Sequence, residues 1–534
     1  MSEAQPRTIG VAGAGTMGAG IAQLGCLAQI TTLLHDPDPD ALERGIQRIG
    51  ARLHRETERG RVTAEAAERA RRHLRPAPRL ADLAECELVI EAAPERLAIK
   101  RELFGALSEI VTDDCVLATN TSSLLVTELA TAAGHPERVV GMHFFNPPPL
   151  MALLEVVAGA DSAPRALAIA RATGEAMGKR VIDAIDGPGF LVNRCNRPFG
   201  LEALKLVAEG VATVEQIDRI CRLGGGFRMG PFELMDLVGV DVGLDVARSF
   251  YEQSFGEPRW RPSPISVKTV AAGRTGRKSG RGFYTYPTDG PYRPPDPLPP
   301  AICGGDGLIV IVGESALARQ LALAAADAGW EVATPEQAAA EPPPALIVEV
   351  DPPDLDEATA PAQGGPRAVY CAAGSLAALD PGGSSVGFHA LAPLDECGLV
   401  ELTRGPDTAP SAADAAQRFF ATLGKRTEWV ADAPGLVLGR IVCQLVNEAA
   451  FALGEGVGEA GDIDTGMTLG LNYPRGVLGW ADQIGLDQVL GALYALSEER
   501  GEDRYRPAPA LRALCLSGRI GVATGEGFFS HDDG

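Results

Sequence analysis

Several things are scarce in this chain, and each scarcity excludes something. Its 10 cysteines are scattered, and nowhere do two of them form a CxxC pair. That argues against a structural metal site or a disulfide framework and points to free thiols in a reducing cytoplasm. Positive charge is short: 48 Lys and Arg face 70 Asp and Glu, for a net charge of -22. Such a balance speaks against a nucleic-acid partner. Long apolar runs are also missing, because Arg, Glu, Gly or Pro interrupts each Ala-rich segment. The opening "MSEAQPRTIG" has neither a basic lead nor an apolar core, so neither an export signal nor a membrane partner is expected. What remains is 534 residues, 46% of them hydrophobic, enough for three or four globular domains.

The pattern along the chain is organised. "RTIGVAGAGTMGAGIAQLGCLAQITTLLHD" reads as strand, glycine turn, helix and strand, closed by Asp36. A charged helical hairpin follows, with "RGRVT" at its bend. Between residues 41 and 80 eleven arginines face five glutamates, a net of +6 inside an acidic protein. Such a patch suits an anionic ligand, although a solvated helix pair would look the same. "CELVIEAAPE" and "CVLATNTSSL" read as further strands, and "RVVGMHFFNPPPLMALLEVVAG" as two strands joined by a proline turn. The expected domains are an α/β Rossmann-type domain over 1–186, an all-α domain over 187–286 and a proline-rich linker over 287–306. The pair then repeats over 307–431 and 432–534. His143/His389 and Asp241/Asp487 share one offset of 246 residues, the mark of an internal duplication.

Gly13, Gly15 and Gly18 form a GxGxxG turn between a strand and a helix. Gly13 permits the tight turn, Gly15 admits a pyrophosphate to the backbone, and Gly18 lets helix and strand pack closely. Asp36 at the end of the second strand would bond the ribose hydroxyls and repel a 2′-phosphate, which favours NAD over NADP. No metal is expected.

His143 ends one strand and Glu155 lies on the next, so the "NPPP" turn can bring them face to face. A carboxylate beside an imidazole fixes its tautomer and stabilises its protonated form. That equipment can take a proton from an alcohol as hydride leaves its carbon, and a structural hydrogen bond would have the same spacing. Ser122, Asn146 and Asn193 stand at strand ends or at a helix entry, where turn capping is the competing role.

Together, "GAGTMGAGIAQ", "NTSSL", "HFFNPPPLMALLEV", "DGPGFLVNR" and "GFRMGPFELMDLVG" resemble the L-3-hydroxyacyl-CoA dehydrogenases, from about residue 7 to residue 286. The resemblance implies oxidation of a 3-hydroxyacyl-CoA to the 3-ketoacyl-CoA, with hydride passing to NAD. It makes His143 the acid/base and Glu155 its partner, with Ser122, Asn146 and Asn193 positioning substrate oxygens. It also places Glu95, Lys100 and Lys278 at cofactor contacts and makes the basic hairpin a seat for CoA phosphates. Ala152 departs from the lysine usual in relatives. The whole chain resembles the two-copy bacterial dehydrogenases of phenylacetate catabolism, which implies 3-hydroxyadipyl-CoA as substrate. 3-Hydroxybutyryl-CoA, as in fatty acid β-oxidation, stays open, as does a non-catalytic NAD-binding scaffold.

The second half keeps His389 and Glu401 but replaces their company. Gly15 and Gly18 become Ser315 and Ala318, Asn146 becomes Ala392, Asn193 becomes Gly439 and Lys278 becomes Ala523. Aligning "NTSSL" with "AAGSL" turns Ser122 into Gly374. One active site per chain is therefore expected. The degenerate copy would serve as an internal partner, a pseudo-dimer whose helical domains could also support a homo-oligomer.

Overall fold

The computed structural model describes residues 5–302, 304–338, 343–351 and 364–531; Cys303 of the linker lies outside them. Short, mostly buried runs make two sheets. The first comprises β1 (Thr8–Ala12), β2 (Thr31–His35), β3 (Leu74–Pro76), β4 (Leu88–Glu91), β5 (Val116–Thr119), β6 (Val139–Phe144), β7 (Leu153–Ala158) and β8 (Arg180–Ile185). Their order is β3-β2-β1-β4-β5-β6-β7-β8, and the neighbours are parallel except β6 and β7. The order reverses beside β1, where open α/β sheets bind ligands. The second sheet comprises β9 (Leu308–Val312), β10 (Glu331–Ala333), β11 (Leu346–Glu349), β12 (Arg367–Tyr370), β13 (Val386–His389), β14 (Leu399–Arg404) and β15 (Arg426–Trp429). It runs β10-β9-β11-β12-β13-β14-β15, with β13 and β14 antiparallel. The α/β expectation and its duplication hold in this topology.

Each sheet has its own core. Ile9, Val11, Ile21, Leu34, Ile90 and Val140 anchor the first, and Ile309, Leu321, Val348, Phe388 and Val400 the second. The basic hairpin of the first copy is real, with helices Pro39–Glu58 and Ala64–His73. Leu42, Ile49 and Leu53 give it a buried stripe, leaving the charged face to solvent.

The chain divides into two compact units, Met1–Arg194 with Glu455–Leu471, and Cys195–Gly454 with Asn472–Gly534. This division cuts across the two copies for a clear reason. In the first unit, helix Ala460–Leu471 of the second copy lies on β7 and β8, with Gly466 against Val192 and Gly470 against Leu153. In the second unit, the matching helix of the first copy, Val214–Gly225, lies against β14. Leu223 there accepts the Gly398 N–H at 2.8 Å, and Arg219 pairs with Glu428 at 2.8 Å. Each copy therefore lends the same helix to the other copy's sheet, as two-fold partners do.

The helical domains of the second unit are also joined by buried charge. Arg440 of the second copy reaches Glu202 at 2.5 Å and Glu209 at 2.7 Å in the first, and donates to the Tyr505 hydroxyl at 2.7 Å. The linker is fastened rather than free: Arg293 pairs with Glu233 at 2.7 Å, Asp296 with Arg222 at 2.7 Å, and Pro297 accepts from Arg426 at 2.6 Å.

Candidate active site

The glycine turn is shaped by its backbone. Gly13 has φ +116, and a Cβ there would stand 2.5 Å from the Ala92 carbonyl oxygen. A Cβ on Gly18 would lie 1.8 Å from the Gly13 oxygen, so both glycines are required by the turn itself. Gly15 differs: a Cβ there would meet nothing within 4 Å. Its missing side chain leaves room at the N-terminus of helix Thr16–Leu27, where among the described residues no acceptor meets the first amides after Ala14. Free N–H groups and open space at a helix start suit a pyrophosphate. Asp36 stands beside them, one carboxylate oxygen accepting the Ala14 N–H at 2.8 Å and the other that of Asp38 at 3.0 Å.

The neighbouring strands β4, β5 and β6 deliver polar groups to the same sheet edge. Glu95 accepts from the Thr121 hydroxyl at 2.6 Å, from the Ser122 and Ser123 amides at 3.0 and 3.1 Å, and from the Ser123 hydroxyl at 2.9 Å. It thereby shapes the "NTSS" turn. Burial alone would raise the Glu95 carboxyl, but Lys100 and these donors outweigh it and hold it below the usual range. Lys100 itself is buried. Its ammonium is 1% exposed and meets Glu91 at 2.7 Å and Glu95 at 3.2 Å. It orients Glu95 from below the surface. Lys278 lies in the second unit, half exposed and 2.7 Å from Asp241.

The register of β6 and β7 sets His143 opposite Glu155. Imidazole Nδ1 donates to Glu155 Oε2 at 2.6 Å, while Oε1 accepts the Leu191 and Val192 amides at 3.1 and 2.9 Å. The carboxylate is 0% exposed and fixed at both oxygens. Nε2 of His143 is left without a partner among the described residues, ready to receive a proton. Asn193 follows Val192, whose amide Glu155 holds. Asn146, on the surface, opens the proline turn, which packs on the cofactor helix at Gly20. Two residues that spacing did not reveal support this edge. Asn120 accepts the Phe144 N–H at 2.9 Å, and Lys179 donates to the Pro148 and Met151 carbonyls, each at 2.6 Å.

The second copy repeats the framework without the site. Glu401 spends both oxygens on amides, Val437 at 2.8 Å and Leu438 at 3.0 Å. His389 Nδ1 is 3.8 Å from Glu401 and has no hydrogen-bond partner, so no imidazole–carboxylate hydrogen bond is made in this copy. The imidazole instead stacks on Tyr370 at 5.1 Å, and a Cβ on Gly439 would lie 2.3 Å from its Nε2. It occupies the room an asparagine side chain would need. The turn is filled as well: Asp351 Oδ2 accepts the Glu314 and Ser315 amides at 2.8 Å each, and the Ser315 hydroxyl caps Ala318. A carboxylate of the chain stands where a pyrophosphate would. The strand register also corrects one alignment. Thr119 pairs with Gly141 as Val369 pairs with Gly387, so Ser122 corresponds to Ala372 and not to Gly374. The helix N-caps Leu125 and Ser375 agree with that shift.

The comparisons with known proteins converge on one family. The profile "3-hydroxyacyl-CoA dehydrogenase, NAD binding domain" matches residues 8–187, and "3-hydroxyacyl-CoA dehydrogenase, C-terminal domain" matches 189–286 and 435–531. The chain is 36% identical over 510 residues to 3-hydroxyadipyl-CoA dehydrogenase of Escherichia coli, covering 96% of this chain and 98% of that one. A probable 3-hydroxybutyryl-CoA dehydrogenase of Deinococcus radiodurans is 42% identical over 277 residues, 52% of this chain and 99% of that one. Among solved structures, a 3-hydroxybutyryl-CoA dehydrogenase of Escherichia coli aligns with TM-score 0.78 at 34% identity, over 96% of this chain and 99% of that one.

Proposed function

Given that the chain belongs to the 3-hydroxyacyl-CoA dehydrogenase family and is an NAD-dependent enzyme of that class, we propose that its single working site lies in the first copy and oxidises L-3-hydroxyadipyl-CoA to the 3-ketoacyl-CoA. The observation that carries the location is the split use of Glu155, with Oε1 on two amides and Oε2 on His143, beside an imidazole nitrogen left free. The open glycine turn would hold NAD, which would supply the acceptor for the hydride that leaves C3. His143 takes the alcohol proton through Nε2, and Glu155 stabilises the resulting imidazolium. Ser122, Asn146 and Asn193 hold the substrate oxygens, and Glu95, positioned by Lys100, keeps the "NTSS" turn in shape. Asp36 selects the ribose hydroxyls of NAD, and the family resemblance alone assigns Lys278 a cofactor contact. The basic hairpin binds the phosphates of CoA, which lets an acidic protein take an anionic substrate.

The adipyl assignment, and with it a place in phenylacetate catabolism, draws support from the full-length match to a relative of that name. The half-length relatives named for 3-hydroxybutyryl-CoA keep that shorter substrate as the second reading. The scattered free thiols suit a cytoplasmic enzyme. The reciprocal helices supply in cis the partner surface of a dimer, with any further homo-oligomer built on the helical domains. NADH oxidation with 3-oxoadipyl-CoA and with acetoacetyl-CoA tests the assignment. A higher kcat/KM for the former is expected, the reverse order favours the shorter substrate, and bound NADH without turnover on either would point to a scaffold.

A further inference from the structure

Two aromatic rings close on the His143 imidazole. The Phe145 ring centroid lies 4.7 Å from that of His143, with the planes tilted by 55°. Phe190, in the loop before helix Val192–Ala208, approaches edge-on at 5.7 Å. Both phenylalanines are buried. Tilted and edge-on pairs at such distances are favoured arrangements of aromatic rings.

The second copy shows the same imidazole without them. Phe145 and Phe190 correspond to Leu391 and Leu436. Phe190 and Leu436 share a left-handed backbone, φ +53 and +44, so the loop keeps its shape and the side chain differs. Strand register sets His389 opposite Glu401, as it sets His143 opposite Glu155. Yet Nδ1 of His389 stands 3.8 Å from its glutamate, against 2.6 Å for His143. The ring lies on Tyr370 instead, at the position Asn120 holds in the first copy. On one shared frame, the histidine bonds its glutamate in the copy that has both phenylalanines. A hydrogen bond at one nitrogen leaves an imidazole free to rock about that bond, and packed rings remove the freedom.

Phe145 is itself seated on the second copy. Helix Ala460–Leu471 lies on β7 and β8, and a Cβ on its Gly470 would stand 3.2 Å from the Phe145 ring and 2.8 Å from Leu153. Just before that helix, a Cβ on Gly458 would stand 2.7 Å from Leu191, the neighbour of Phe190. Glycine at these places lets the lent segment pack directly against the surroundings of His143.

We propose that Phe145 and Phe190 are positioning residues, a clamp that keeps the His143 imidazole on Glu155 and its Nε2 in place for proton transfer, and that Gly470 makes the second copy part of that clamp. The inference rests on the dehydrogenase reading and adds two residues to its site.

The test measures kcat and KM for acetoacetyl-CoA and NADH in the wild type and in the double variant Phe145→Leu, Phe190→Leu, which imports the second copy's own residues. A misplaced proton donor slows the chemistry without loosening the cofactor. The value of kcat should therefore fall at least about tenfold while KM for NADH stays within about threefold. A smaller fall in kcat, or a rise in KM that matches it, overturns the proposal. A second pair of variants leaves the rings themselves intact. Gly470→Ala presses a methyl group on the Phe145 ring, whereas Gly224→Ala, at the matching position, presses one on Leu438 and the Leu399 carbonyl. Turnover should slow at least about threefold in Gly470→Ala and hold in Gly224→Ala. Equal kcat in the two overturns the part given to the second copy. Turnover of acetoacetyl-CoA by the wild type upholds the dehydrogenase reading whichever way the clamp results fall.

Discussion

The two copies share a framework and differ in chemistry, and the difference separates residues that serve folding from residues that serve a reaction. Lys179 donates to the Pro148 carbonyl and Lys425 to that of Leu394, each tying down the same turn. Asp186 accepts the Val126 and Thr127 amides, as Asp432 accepts those of Leu376 and Ala377. Asp236 and Asp482 each accept two amides of the C-terminal loop. The glutamates belong to this group as well. Glu155 and Glu401 both hold the amides that begin the long helix, and only Glu155 has an oxygen left for a histidine. A shared His and Glu at twelve-residue spacing therefore marks a shared strand pair and helix entry. On the proposed reading, activity rests on Gly15, Asn146, Asn193 and Ser122, whose counterparts are Ser315, Ala392, Gly439 and Ala372.

The sharpest way to break this comparison is to remove each histidine. His143→Ala should lose at least 10²-fold in kcat/KM with a 3-oxoacyl-CoA and NADH, and His389→Ala should stay within about threefold of wild type. Exchanging a residue between copies comes next. Gly15→Ser imports the second copy's side chain where nothing in the protein opposes it, so the melting temperature should hold while the NADH dissociation constant rises at least about tenfold. A further effect reads on stability rather than activity. Arg440→Met removes the nearer guanidinium from buried Glu202, leaving it Arg504 at 3.4 Å, and should cost about 3 kcal/mol in urea unfolding.

The smallest effect is a pH dependence that both copies should share. Burial lowers Lys179 to about 8 and moves Lys425 in the same direction. A folded-state value below the unfolded one means the unfolded chain binds more protons between about pH 8 and the ordinary lysine range. These lysines therefore make the protein more stable as pH rises through that window and less stable as it falls back to 8. The melting temperatures of Lys179→Met and Lys425→Met, each compared with wild type from pH 7 to pH 10, should show the gain lost in both variants. A loss confined to Lys179→Met would place that lysine with the chemistry.

Much of this was legible in the sequence, because its signals are local. Alternating runs, turn glycines and a constant offset predict two Rossmann-type sheets, two helical domains and the His143–Glu155 pairing. The rest depends on contacts that spacing does not carry. The spacing of Lys100 carries no sign of its ion pairs, yet the turn after β4 folds it under Glu91 and Glu95. Asp351 reads as the end of a strand, yet it closes the second glycine turn. The "AAGSL" match was two residues out because five letters align equally well either way until strand register decides.

The central claim is that one copy binds the cofactor and the other only props it up. Counting NADH molecules bound per chain by equilibrium titration, in the intact protein and in Asp351→Ala, tests it most directly. The account predicts one site in both, because emptying the second turn still leaves Ser315 and lacks the partners of the first. Two sites in the intact protein would contradict it.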